Sequence, residues 1–403
     1  MKHGASYRLT VWALSALLVT QCLLMLLPRV ARRAGALRRS ANATLGAAAG
    51  AAADAAAGAA LGAAPNASAA ALRACLLAAA LAGPAGPAGP AALAGPAPPA
   101  GKRTSHGVRC RGPQAAEIAR AKPIAHSNCF DNRAWMDVLL RETAHLPAVT
   151  VVAVGCNKGD DFVAQMRDWS GDPRFSVSEY RASAARHFPR ASARACPPGS
   201  ATTVAVPRRA ARGFCVEPMP RNYQLLETCM RVLRYLGPVT LVPAAVSSVP
   251  GEESFPDGDA GAESLGLGHA SAASVRVNVT TLDEIVRGAN ISAIEFLSID
   301  TEGNDVRALL GGIHTLAARK VRYLEFEYHK VGRWALSDLQ DLVDLLDQLG
   351  FDCYWALNSG GLSRLTGCWH DSYYSERFWS NVACVDRESR QTHRAMQRLA
   401  GFA

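Results

Sequence analysis

Val149-Thr150-Val151-Val152-Ala153-Val154-Gly155-Cys156-Asn157-Lys158-Gly159-Asp160-Asp161 joins an unbroken apolar run to a glycine-punctuated turn and then to acids. An apolar run without polar alternation reads as a strand buried on both faces, the condition of a parallel sheet. The glycines let backbone amides approach a ligand at the start of the next helix. Phe162, Val163 and Met166 follow at helical spacing. Strand, glycine turn and helix in that order open a doubly wound fold, whose ligands bind beyond the carboxyl ends of the strands. A plain tight turn would use the same glycines, so the meaning depends on what else reaches that edge.

Outward from this stretch, strands and helices alternate, which predicts an α/β fold with a mostly parallel sheet. Trp135, Val138 and Leu139 form a helical face ahead of the first strand. Phe214–Val216 reads as a second strand. Tyr223, Leu226, Met230 and Leu233 form the next helical stripe, stopped by Gly237-Pro238. Val239–Val242 is a third strand, Ile294–Ile299 a fourth and Val321–Phe326 a fifth. Thr281 with Glu284 makes a capping box, and Ser337 with Gln340 reads as another. Val306, Leu309, Leu310, Ile313 and Leu316 predict one helix after the fourth strand. Leu339, Leu342, Val343, Leu346 and Leu349 predict a later one, closed by Gly350. Phe351–Leu357 and Asn381–Val385 complete seven strands. Two segments interrupt the pattern: arginine-rich Arg167–Arg212, and Pro250–Ala273, rich in Gly, Ser, Asp and Glu. Both are long for connections, which marks them as mobile or functional.

Acids recur where strands end. The second strand runs into Glu217, whose carboxylate has the lone pairs to accept both hydroxyls of a ribose diol; a surface glutamate is the plainer alternative. The fourth strand ends in Asp300-Thr301-Glu302-Gly303-Asn304-Asp305. Asp300 and Glu302 together can bind a cation, act as a base or hold a hydroxyl, although Asp300 could instead cap the following helix. The fifth strand brings Glu325, Glu327 and His329 toward the same edge, His329 being either a general base or a solvated loop histidine.

These stretches in their order resemble the FkbM family of methyltransferases. The resemblance rests on Val151–Phe162, Phe214–Leu226, Leu241–Ser248, Val279–Val286, Phe296–Gly312 and Tyr323–His329. It implies a Rossmann-like class I methyltransferase with a mostly parallel seven-stranded sheet and helices on both faces. It implies S-adenosylmethionine as cofactor and a hydroxyl group as acceptor. Carried over residue by residue, Gly155, Asn157 and Gly159 would hold the amino-acid end of the cofactor and Glu217 its ribose. Ala245 and Val246 would lie near the adenine, and Asp300 and Glu302 would face the methyl and the acceptor. Asp300, Glu302 and His329 are the candidates for removing the acceptor's proton. Because a sulfonium methyl is already activated, such a protein mainly aligns acceptor, carbon and sulfur.

The rest of the chain sets the context. Of a net charge of +9, residues 1–113 carry +11, leaving the remainder at −2. A near-neutral domain behind a basic tail does not read as a nucleic-acid binder. Thr10–Leu27 is uncharged and just long enough to span a bilayer as a helix. Signal anchor, cleaved signal peptide and transit peptide are the competing readings of residues 1–30, with the anchor preferred. Residues 31–113 form an Ala/Gly/Pro-rich stem expected to be largely disordered, residues 114–390 the enzyme domain and 391–403 a tail. Arginines after the apolar segment favour a cytosolic domain. The eleven cysteines, and sequons at Asn42, Asn66, Asn278 and Asn290, favour a lumenal one. The preferred expectation is a single-pass membrane protein of the secretory pathway, facing the Golgi lumen, with a small-molecule or glycan acceptor. Nothing in the sequence fixes an oligomeric state. The cysteines lack zinc-type spacing, so no metal site is expected. Cys156 is expected to be a free thiol. Two other functions compete: a glycosyltransferase of the same layout using Asp257-Gly258-Asp259, and a non-catalytic domain on the same fold.

Overall fold

The computed structural model describes residues 134–189, 191, 203–260, 266–267, 271 and 273–401. The apolar Thr10–Leu27, the stem and the sequons at Asn42 and Asn66 lie outside the described residues. Among the described residues, no helix is long and apolar enough to cross a membrane.

The apolar run forms β1 (Ala148–Val154), buried on both faces after its first residue. Val151 and Ala153 enter one core cluster, while Val152 and Val154, pointing the other way, are equally buried. Each valine side chain so buried contributes about 1.5–3 kcal/mol. Helix α1 (Ala134–Thr143) precedes the strand and α2 (Asp160–Ser170) follows the glycine turn. Then come α3 (Val177–His187), β2 (Ala210–Val216), α4 (Pro220–Val232), β3 (Val239–Val242) and β4 (Ala245–Val246). The second half holds β5 (Gly251–Pro256), β6 (Ser274–Thr280), α5 (Leu282–Gly288), β7 (Phe296–Ile299), α6 (Asp305–Leu310) and α7 (Ile313–Ala317). It closes with β8 (Tyr323–Tyr328), α8 (Leu339–Gln348), β9 (Phe351–Ala356), β10 (Leu362–Arg364), β11 (Ser380–Asp386) and α9 (Arg390–Leu399).

The main sheet is mixed, with the order β10-β9-β11-β8-β7-β1-β2-β3. Strands β3, β2, β1, β7 and β8 pair in parallel, and β11, β9 and β10 join antiparallel. The expectation of seven strands is corrected to eight, because Leu357 N bonds Gly361 O (3.1 Å) and the turn so made returns Leu362–Arg364 along β9. Chain order reverses between β1 and β7, the topological switch point where a crevice opens in doubly wound sheets. There Val154 is in register with Val216 on one side and Ile299 on the other. The three strand ends that carry the candidate residues are therefore level.

Several local expectations need amendment. The helix expected after the fourth strand is two helices, α6 and α7, separated at Gly311-Gly312. The cap of α8 is Asp338, which accepts from Gln340 N at 2.8 Å, whereas Ser337 bonds back to Arg333 O. The capping box of Thr281 and Glu284 is present. The arginine-rich segment contains the end of α2, all of α3 and the start of β2. The other insertion supplies β5, which pairs with β6, itself paired with β4, in a separate three-stranded sheet. Residues expected as a tail form α9, whose Ala395 and Met396 are buried and which packs on α1.

Cys156 is corrected from a free thiol: it is disulfide-bonded to Cys215, with Cα atoms 5.7 Å apart. The parallel pairing of β1 and β2 sets the turn beside the penultimate residue of β2, which brings the two together. Cys353 and Cys384 also pair, from directly opposed positions on β9 and β11. Cys229 is free and buried.

Candidate functional site

The turn after β1 is seated on its neighbours by backbone bonds. Gly155 N and Cys156 N both donate to Val216 O, at 2.9 and 3.1 Å, and Asp300 N donates to Val154 O at 2.9 Å. Gly155 has φ +89°, and a Cβ there would lie 1.7 Å from Asp300 O. Only glycine lets the first and fourth strand ends approach so closely. Asn157 takes a left-handed conformation at φ 48°, which asparagine tolerates better than most residues.

Glu217 fastens this turn. Its Oε2 accepts from Asn157 N at 2.7 Å and its Oε1 from Met219 N at 2.9 Å. Asn222, in the first turn of α4, donates to Glu217 Oε1 (3.4 Å) and to Asn157 Oδ1 (3.2 Å). Burial pushes the carboxyl up to about 7, the nearby Asp300 adding to the rise while those hydrogen bonds oppose it. A carboxylate has about four lone-pair sites, so with three bonds accepted Glu217 keeps acceptor capacity for one bound hydroxyl.

The acidic turn after β7 is equally constrained. Glu302 and Gly303 have positive φ, 52° and 106°. Asp305, fully buried, accepts from Thr301 N (3.3 Å), Gly303 N (3.2 Å) and Trp334 Nε1 (3.1 Å). Burial pushes its carboxyl up to about 7, with Asp300 adding to the rise. Asn304 donates to Val246 O at 2.7 Å, and Arg333 spans Asn304 Oδ1 (2.8 Å) and Glu253 Oε2 (2.6 Å). The small sheet is thereby tied to the acidic turn.

Gly155, Asn157, Glu217, Ala245, Val246, Asp300 and Glu302 line one cleft of about 600 Å³. Met219, Ala244, Phe255 and Leu267 complete an apolar wall beside the two acidic ends. Two candidates are not brought there. Gly159 packs against helices instead: a Cβ on it would meet Leu226 Cδ2 at 2.3 Å and Tyr180 Oη at 2.6 Å. His329 is fully buried; its Nδ1 accepts from Val331 N at 3.2 Å and its ring stacks on Trp379 at 5.8 Å. It lines neither the cleft nor the cavity beside it, and it is not a solvated loop histidine.

Residues 154–353 match the model of the Methyltransferase FkbM domain. Over that span the chain belongs to the FkbM methyltransferase family. A solved structure of Methyltransferase FkbM from Methylobacillus flagellatus KT is 13% identical, with a TM-score of 0.35, over 60% of this chain and 47% of that one. The chain thus spans about half the length of that protein. No curated protein matches the chain.

In the FkbM domain, several residues that line or brace the cleft went unassigned from sequence. Phe255 and Leu267 come from the Pro250–Ala273 insertion, where little but glycine and acids draws notice. The alternation Val275, Val277, Val279 carries the strand signal that would have found β6 and, with it, the small sheet. Asn222 works through the side chains of Glu217 and Asn157, and Asp305 through backbone amides of its turn, contacts that have no sequence signature. Asp257 and Asp259, the pair a sugar-nucleotide site would need, face Arg221 on α4, at 3.9 and 2.8 Å.

Proposed function

We propose that the FkbM domain binds S-adenosylmethionine in the cleft and transfers its methyl group to a hydroxyl acceptor. The observation that carries this reading is the meeting, in one cleft, of the glycine turn, the Glu217 carboxylate, an apolar wall and the Asp300–Glu302 turn. Those groups fit the ligand: an acid for a ribose diol, apolar side chains for a purine, and acids near a cationic sulfur. S-adenosylmethionine, when bound, supplies a methyl group already activated on a sulfonium. Glu217 would grip the ribose, Ala245 and Val246 would flank the base, and Gly155 and Asn157 would hold the amino-acid end. Asp300 would stand where cofactor and acceptor meet, since it lines the cleft and also an adjoining cavity.

The acceptor class in this proposal is a glycan hydroxyl, and the location is the lumen of the secretory pathway. Two observations support it: Asn278 and Asn290, the sequon asparagines among the described residues, are exposed, and among the described residues Cys156 is bonded to Cys215 and Cys353 to Cys384. Disulfides persist in oxidising compartments.

Calorimetric titration of the purified protein with S-adenosylhomocysteine, followed by transfer from labelled S-adenosylmethionine to a glycan panel, tests the reading. Saturable binding and label on a hydroxyl are expected, and Asp300→Ala should abolish transfer while unfolding as wild type does. Absence of binding would favour a non-catalytic domain. Label confined to lipids or small metabolites would overturn the glycan assignment. A mass shift on endoglycosidase treatment is expected for the lumenal location, and an unchanged mass with all cysteines reduced would reverse it.

A further inference from the structure

Beside the cleft lies a second cavity of about 490 Å³, lined by Asp161, Gln165, Ser298, Asp300, Glu325, Glu327 and Asn381 among others. It opens between the start of α2 and the carboxyl ends of β7 and β8, and it shares Asp300 with the cleft. No Lys or Arg lines it among the described residues.

Its acids are not equivalent. Glu325 is occupied, accepting from Trp135 Nε1 (3.0 Å) and from the Tyr323 hydroxyl. Asp300, Asp161 and the nearby Glu302 are each engaged in other interactions. Glu327 differs: only 4% exposed, its carboxylate has no hydrogen-bond or ion-pair partner among the described residues. The β8–β11 register sets Asn381 directly opposite it. A buried carboxylate left without a donor is costly, and nothing in the packing of β8 explains it. An incoming hydroxyl would.

We infer that this cavity is the acceptor subsite, that it takes an uncharged or amine-bearing hydroxyl compound rather than an anionic one, and that Glu327 is the catalytic base that receives the hydroxyl proton. This rests on the methyltransferase reading above. The acceptor oxygen forms its bond to the methyl carbon as the carbon–sulfur bond breaks. That bond's electron pair stays on sulfur, which becomes a neutral thioether, and the proton passes to the Glu327 carboxylate. Charge and atoms balance, with no further reactant.

The surroundings suit the task. Burial raises the Glu327 carboxyl well above its usual range, and the charges of Asp300, Glu302 and Asp305 raise it further. The groups facing it are Asp300 from β7, Asp161 and Gln165 from α2, Glu325 on its own strand and Asn381 from β11. None of these is cationic, so a base with strong proton affinity results. The same ring of acids would repel a phosphate, sulfate or carboxylate next to the reacting hydroxyl.

The test uses Glu327→Gln in the full-length protein, with S-adenosylhomocysteine and methyl glycosides, neutral, amino and carboxylated, as probes. Wild type and variant should bind S-adenosylhomocysteine within about twofold of each other, because the carboxylate faces the acceptor rather than the cofactor. Turnover on the best glycoside should fall by about 100-fold or more, the range of a lost general base. Glu327→Ala should fall similarly and be partly restored by added formate, which a merely structural role would not allow. The thermal midpoint of Glu327→Gln should exceed wild type at pH 7–8, the difference closing as pH falls below about 4.5, where the carboxylate becomes protonated in both folded and unfolded chains. Loss of S-adenosylhomocysteine affinity in the variant alone would assign the carboxylate to the cofactor and overturn the inference. Turnover above about one tenth of wild type, a lowered midpoint at pH 7–8, or preference for the carboxylated glycoside would overturn it too. Failure of the wild type itself to bind S-adenosylhomocysteine would count instead against the proposed function.

Discussion

The parallel and antiparallel halves of the main sheet each bury acids, and they treat them oppositely. In the antiparallel half, Asp352 on β9 is completely buried between two guanidinium groups, Arg387 at 2.8 Å and Arg364 at 3.0 Å, and hydrogen-bonded to His393 at 2.7 Å. Burial pushes its carboxyl up, but the His393 hydrogen bond and the two guanidinium charges outweigh it and hold it below the usual range. In the parallel half, burial dominates at Glu217, Asp305 and Glu327, and all three are raised. Around the cleft, Gly155, Asn157, Glu302 and Gly303 are also held at positive φ. At Asp352 a buried acid is bound to cations and holds the sheet together. At the carboxyl ends of the parallel strands, Glu217, Asp305 and Glu327 have no cation bonded to them among the described residues, at a cost in stability, where a ligand can use them.

Three measurements would break or sharpen that contrast. The largest effect is expected from Asp352→Ala, which leaves two guanidinium groups without their buried partner and should lower the unfolding free energy by about 3–5 kcal/mol in urea titrations. Its affinity for S-adenosylhomocysteine should be unchanged; a matching loss of affinity would show that the halves are not separate. Glu217→Ala should do the reverse, weakening S-adenosylhomocysteine about 100-fold, or about 2.7 kcal/mol, in calorimetry. Its smaller stability change reflects two freed backbone amides set against one relieved buried charge. If affinity holds, Glu217 fastens the turn and does nothing else.

The smallest effect is in the pH dependence. A lowered carboxyl contributes stability above its ordinary value that is lost as pH falls through its folded value, so Asp352 gives an acid limb beginning below about 3.8. A raised carboxyl resists ionisation in the fold, so stability is lost as pH rises from its ordinary value to its folded one. For Glu217 that window runs from 4.5 to about 7, and for Asp305 from 3.8 to about 7. Denaturation midpoints across pH should therefore fall on both sides of an optimum near about pH 4. Asp352→Asn should flatten only the acid limb and Glu217→Gln only the neutral one. Loss of both limbs in either variant would defeat the assignment.

How legible this was depended on whether a residue's role is set by its place on a strand. Gly155, Glu217 and Asp300 each follow an apolar strand directly, and parallel pairing in register then fixes their meeting. Ala245 and Val246 lie a short turn beyond the third strand, where they form β4 of the small sheet. Gly159 looked identical to Gly155 in sequence, but its neighbours are Leu226 and Tyr180, residues of later helices that periodicity does not locate. His329 and Glu327 stand two residues apart at one strand end. The histidine drew attention by its chemistry, while the glutamate's importance lies in what does not touch it. Cys156 and Cys215 are close only because the parallel register sets the turn after β1 beside the penultimate residue of β2. The small sheet was hidden by a composition that signals loop, although every second residue of β6 from Val275 is valine.

Helix α9 carries one more implication. Met396 and Ala400 share a core cluster with Trp135 and Leu139 of α1, so the first and last described helices close on each other. During synthesis, the part of the α1 face that α9 covers stays open until α9 has been made. A truncation confined to α9 therefore exposes that apolar face, more than two hundred residues upstream.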